Sequence, residues 1–109
     1  VVGRGVLSMS KQGMAPESLT AAIGPAIGPC CYEVDDGTAA RFADRFGSDL
    51  VIGNHLDLPG AVLHELMESG VSGENIARMD TCTSCAYGFY SYRRDGVTGR
   101  HGAIAWIEE

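Results

Sequence analysis

The segment "IGPAIGPCCYEV", residues 23–34, constrains the fold most tightly, because two Gly-Pro steps fall within it at Gly24-Pro25 and Gly28-Pro29. Each proline fixes its own φ and lacks an N–H, and each pushes the residue before it out of the helical region. The segment therefore reads as a rigid, extended loop with little side chain between its prolines. It is entered from "LTAAI" (19–23), an apolar stretch that reads as the end of a buried strand. Such a loop lets the backbone N–H groups of Ala26, Ile27 and Gly28, with Gly24 at its start, approach a ligand closely. A tight strand crossover would use the same residues equally well.

Elements on either side follow from periodicity and caps. Val2, Val6, Leu7 and Met9 share a helical face over residues 1–12, and Gly13 closes the segment. Asp35 or Asp36 caps a helix over 37–46, where Ala39, Phe42, Ala43 and Phe46 recur at helical spacing before Gly47. "DLVI" (49–52) predicts a short strand. Asp57 is an N-cap, Pro59 sits in a first turn and Gly70 is a stop, with Leu58, Val62, Leu66 and Met67 as the inner stripe. A strand is expected near 76–79, and two more at 88–92 and 102–107, joined by "RRDGVTGR" as a hairpin. Helices and strands alternate, so the fold class is mixed α/β.

A length of 109 residues allows one small domain, or a piece of a larger one. The net charge of −6 argues against a nucleic-acid surface spread over the chain. No segment approaches the roughly 18–20 apolar residues of a membrane helix, and no secretory leader is recognisable. A cytoplasmic location with reduced thiols is expected. The opening "VVGRGVLSMS" has no initiator methionine and reads as helix from its first residues, as expected of a fragment.

Three groups of residues could carry chemistry. Cys30, Cys31, Cys82 and Cys85 contain one C-x-x-C half of a zinc site, but adjacent cysteines do not have knuckle spacing. The favoured reading is small buried residues in a reduced protein, with no metal held in this chain. "GFYSYRRDGVTGR" (88–100) gathers aromatics with Arg93, Arg94 and Arg100, three of the eight Lys and Arg residues. A base can stack on Tyr90 while the fork of Arg93 or Arg94 takes a phosphate. Taken alone, the composition favours a surface hairpin whose arginines pair with Asp95, Glu108 or Glu109. His55, His64 and His101 have no spacing that suggests a metal pair.

Together, "IGPAIGPCCYEV", the "CT" at 82–83 and "FYSYRRDGVTGRHGAIAWI" resemble, in order, the signatures of the YfiH-like laccase-domain family. That family was first called multicopper polyphenol oxidase and is now regarded as a purine nucleoside phosphorylase family. The resemblance implies a layered α/β sandwich with mixed sheets, similar to the catalytic domain of cytotoxic necrotizing factor. It implies a zinc enzyme of purine metabolism, a transferase about twice this length. Its partners would be phosphate and adenosine, inosine, guanosine or methylthioadenosine, with adenosine deaminase side activity. The family's zinc sits on two histidines and a cysteine in Q-V-H-G, H-A-G-W-R-G and T-A-D-C contexts, and none of these occurs here. "VVGRGVL" resembles the helix that follows H-A-G-W-R-G, so residues 1–109 are expected to be the C-terminal portion of one domain, its N-terminal zinc-ligand half absent. Gly24, Ala26, Ile27, Gly28, Tyr90, Arg93 and Arg94 are then the expected substrate side, with no catalytic residue assigned and no activity expected alone. A copper polyphenol oxidase or thiol-redox role, and a non-catalytic interaction fragment, are the rival readings.

Overall fold

The computed structural model describes residues 1–105. Its elements run α1 (Val2–Lys11), β1 (Ala21–Ile23), α2 (Asp36–Phe46), β2 (Val51–Ile52), β3 (His55–Leu56), α3 (Leu58–Glu68), β4 (Ile76–Arg78) and α4 (Tyr92–Asp95). Short 3₁₀ turns at Pro16–Ser18, Ser48–Leu50 and Gly73–Asn75 lead into β1, β2 and β4. The fold is mixed α/β with one parallel and one antiparallel strand pair. Among the described residues no helix is long and apolar enough to cross a membrane.

Local chemistry accounts for most boundaries. The Asp35 carboxylate accepts the Thr38 N–H at 2.7 Å and starts α2, while Asp57 accepts the Gly60 N–H at 3.0 Å and starts α3. Gly13, Gly47 and Gly70 close the three long helices at φ 95°, 89° and 104°, values that side chains rarely adopt. β1 pairs parallel with β4 in the register Ala21 to Ile76, Ala22 to Ala77 and Ile23 to Arg78. β2 and β3 form a small hairpin across Gly53 and Asn54.

One face of the parallel pair lies on α3, and α1 lies on α3 in turn. Val6, Leu66 and Val71 form the centre, ringed by Val2, Leu19, Ala21, Ile23, Val62 and Ile76. The expected stripes are partly corrected. On α1 Leu7 is exposed and Val6 alone is buried; on α3 Met67 is exposed, whereas Gly60 and Ala61 are buried. Val62 and Leu66 keep the expected stripe of α3, and Gly60 and Ala61 widen it because the helix meets the sheet on one side and the Ser48–Leu50 turn on the other.

The expected C-terminal hairpin is also corrected. Residues 88–91 are not strand, Tyr92–Asp95 form a helical turn, and 96–105 hold no regular element. The buried Ser91 hydroxyl accepts the Arg94 N–H at 3.3 Å, and Gly96 ends the turn at φ 72°. A local cap thus overrides the alternating pattern of "FYSYR". Residues 106 and 107, the end of the second expected strand, lie outside the described residues, as do Glu108 and Glu109.

Candidate functional site

Parallel pairing carries on in irregular form beyond β1 and β4. The Met79 N–H donates to Ile23 O at 3.0 Å, Ala26 bridges Cys82, and the Thr83 N–H donates to Ala26 O at 3.1 Å. Pro25 and Pro29 have no N–H to give, so the ladder cannot stay regular there. Both chains turn beyond this point, at the carboxyl end of the parallel strands, where α/β proteins commonly place ligands.

The first turn spans Gly28–Tyr32, with Cys31 and Tyr32 N–H groups donating to Gly28 O at 3.1 and 3.0 Å. The second spans Cys82–Ala86, closed by the Ala86 N–H on Cys82 O at 3.0 Å. Each turn presents two cysteines, and the four sulfurs lie within 4.8 Å of one another. Cys85 Sγ is 3.5 Å from Cys30 Sγ and 3.4 Å from Cys31 Sγ. This corrects the expectation of small buried residues: Cys30 and Cys85 are exposed, and adjacent Cys30 and Cys31 reach one point. Sequence spacing could not show it, because the convergence joins turns more than fifty residues apart.

The Gly28 N–H donates to Cys82 Sγ at 3.2 Å. Burial opposes ionisation of Cys82, but N–H donors of Gly28, Cys85 and Ser84 outweigh it and pull the thiol down to about 6. Cys30, hydrogen-bonded first to Cys85 and then to Cys82, is pushed up to about 12. Hydrogen bonding thus favours the thiolate at Cys82 over that at Cys30.

Beside the sulfurs lies a cleft of about 200 Å³, walled by Ala26, Gly28, Pro29, Asp57, Pro59 and the Arg78–Cys82 stretch. Of the expected substrate residues, Ala26 and Gly28 line it; Gly24, Ile27, Tyr90, Arg93 and Arg94 do not. The Gly28 N–H is already engaged by sulfur.

Arg94 is tied into its own loop. Nη1 donates to the carbonyls of Thr83, Ser84 and Ala86 at 3.1–3.2 Å, Nη2 to Phe89 O at 2.9 Å, and Nε and Nη2 to the Asp95 carboxylate. Its fork holds the second cysteine turn from behind. Arg93 points outward, gives one N–H to Glu33 O at 2.8 Å and lies 5.1 Å over the Tyr32 ring. Tyr90 is exposed beside His101, whose Nε2 accepts the Tyr90 N–H at 2.8 Å. His55 donates from Nδ1 to Pro29 O at 2.6 Å, a link to the Gly-Pro loop that spacing did not suggest.

Known proteins resemble this chain over most of its length. Residues 1–108 match the family described as multi-copper polyphenol oxidoreductase laccase. The purine nucleoside phosphorylase YlmD of Geobacillus stearothermophilus is 38% identical over 104 residues, covering 86% of this chain and 38% of that protein. Adenosine deaminase RL5, from an unknown prokaryotic organism, is 33% identical over 101 residues, covering 84% of this chain and 38% of that protein. The crystal structure of the Bacillus licheniformis hypothetical protein YfiH superposes with a TM-score of 0.77 at 30% identity, over 87% of this chain and 39% of that one. The chain thus spans about two fifths of the length of the relatives it matches. With that match running through the Gly-Pro loop, both cysteine turns and the arginine segment, the chain belongs to the multi-copper polyphenol oxidoreductase laccase family.

Proposed function

We propose that this chain is the C-terminal, substrate-facing portion of a purine nucleoside phosphorylase. Upstream residues of the whole protein would complete the site. The observation that carries this is the half-built cleft. At about 200 Å³ it is smaller than the roughly 300–1,000 Å³ of a typical ligand pocket, and its loop wall, Ala26 with Gly28, Pro29 and Cys30, carries only small side chains. A nucleoside needs a second wall, and the relatives named purine nucleoside phosphorylase and adenosine deaminase are longer proteins.

The family's zinc does not fit the residues present. His55 is bonded to Pro29 O, His101 to Tyr90, and His64 faces Glu68 at 3.5 Å. Among the described residues no set of two histidines and a cysteine converges.

In phosphorolysis a phosphate oxygen bonds to C1′ of the ribose while the C1′–N bond breaks. The base leaves with the bonding pair and takes up a proton. Catalysis rests on alignment and on charge stabilisation. In the proposal the Gly24–Gly28 loop bears on the nucleoside through Ala26 and Gly28, which line the cleft, and Tyr90, outside the cleft, offers a stacking face. Arg93 meets the phosphate with its remaining N–H groups, and Arg94 adds charge from behind while ordering the loop. Adenosine deamination is the proposed side activity, in a cytoplasmic enzyme.

The test is base release from adenosine, inosine, guanosine and methylthioadenosine by the complete protein. Release is expected only with phosphate present, and Arg93→Ala should raise the phosphate KM about tenfold. Base release without phosphate would overturn the phosphorylase reading. An unchanged phosphate KM would remove Arg93 from it.

A further inference from the structure

Among the described residues, the segment after β4 contributes no buried hydrophobic side chain to the apolar core. The buried hydrophobic side chains are Val6, Ala39, Leu56, Ala61, Leu66 and Val71, and none follows residue 71 among the described residues. Residues 79–105 are held instead by hydrogen bonds, by the Arg94 fork and by the contact of the second cysteine turn with the first. A chain that anchors a quarter of its length this way needs a cross-link that packing does not supply. Small domains meet that need with disulfides or structural metals.

The sulfurs have the geometry of a metal site. A tetrahedral centre with metal–sulfur bonds of about 2.3 Å separates its sulfurs by about 3.8 Å. Here Cys85 Sγ lies 3.5 Å from Cys30 Sγ and 3.4 Å from Cys31 Sγ, and all four sulfurs fall within 4.8 Å. The surroundings suit it as well. The Gly28 N–H already points at Cys82 Sγ, as a donor would toward a metal-bound thiolate. A Cβ on Gly28 would sit 3.3 Å from Cys82 Cβ and 3.5 Å from Cys30 Sγ, so a side chain there would crowd the cluster. The Arg94 guanidinium binds the carbonyls of Thr83, Ser84 and Ala86, placing a positive charge on the backbone that carries Cys82 and Cys85. Soft thiolates select zinc over hard cations, and four of them leave no open position for catalysis.

We propose that Cys30, Cys31, Cys82 and Cys85 form a closed, structural tetrathiolate site for zinc, which pins the Gly-Pro loop to the segment leading into α4. It stands whether or not the protein cleaves nucleosides. Its consequence is mechanical: with metal bound, the cleft wall formed by Ala26 and Gly28 keeps its place beside Arg78–Cys82.

The experiment uses the complete protein, purified reduced, with metal content and cobalt(II) spectra as readouts. The wild type is expected to bind cobalt with the intense thiolate-to-metal charge-transfer and tetrahedral ligand-field bands of a four-sulfur site, and zinc should displace it. The variant C82S/C85S should hold about one metal equivalent per chain less and lose those bands. If the variant does not fold, the wild-type titration still decides. Absent four-sulfur bands in the reduced wild type, bands that persist in C82S/C85S, or cysteines found paired as disulfides after reducing purification would each overturn the proposal. Phosphorolysis is not among the readouts, so the two proposals fail separately.

Discussion

Arg94 shows how one side chain can organise a segment that has no core of its own. A guanidinium carries five N–H groups in a fixed plane, and here they reach four backbone carbonyls and one carboxylate. A lysine carries the same charge but only three donors, on a tetrahedral head. Arg94→Lys should therefore behave almost like Arg94→Ala. Amide exchange across residues 83–89 should quicken at least about tenfold in both variants. Exchange in Arg94→Lys that matches the wild type would show that charge alone, not the fork, holds the loop. The same pair sets a pH dependence. Hydrogen bonding to Arg94 holds Asp95 below its usual 3.8, so the carboxylate is better ionised folded than unfolded. Its contribution is present in full above that usual value and fades as pH falls through the lower, folded one. This residue's role was not legible in the sequence. "RRD" shows two equivalent arginines, and only the fold, with Ser91 capping the turn, sends one inward.

At the scale of elements, the three long helices were legible, whereas the C-terminal segment read as strands it does not form, for a physical reason. α2 and α3 carry their start and stop signals within a few residues, as Asp35 with Gly47 and Asp57 with Gly70, and such local chemistry decides a helix end. The alternation at 88–92 needed a partner strand to mean anything, and the cysteine cluster needed two distant turns to meet. Neither is written in neighbouring residues. Two glycines in helices test the local argument with opposite signs. At Gly5 of α1 an added Cβ meets nothing within 4 Å, so Gly5→Ala should stabilise by up to about 1 kcal/mol through helix propensity. At Gly60 the added Cβ would run into the Asp57 carboxylate that caps α3, and would lie 2.9 Å from Leu50 Cδ2. Gly60→Ala should cost about 1–3 kcal/mol, the lost cap and overpacking exceeding the propensity gain. Denaturant midpoints measure both, and shifts of the same sign would mean that the capping geometry of α3 is unimportant.

At the scale of the molecule, the parallel pair is covered on one side only. Ala21, Ile23 and Ile76 face the core, while Ala22, Ala77 and Arg78 are exposed. Parallel sheets in α/β proteins are normally covered on both faces, because their strands gain stability from burial rather than from hydration. The relatives are longer proteins, this chain covering 38–39% of them. On the proposal that upstream residues complete the domain, they lie over Ala22 and Ala77. That places the second wall against the same strands whose carboxyl ends carry the cleft and the sulfurs. The consequence can be measured in the complete protein. Ala22→Glu and Ala77→Glu would each force a carboxylate into the joint and should cost at least about 2 kcal/mol. Ala40→Glu, on the exposed face of α2, is the control and should stay within about 0.5 kcal/mol of the wild type. If the strand variants unfold at the same denaturant midpoint as the control, that face is open to water in the whole protein, and the missing wall of the cleft must come from another direction.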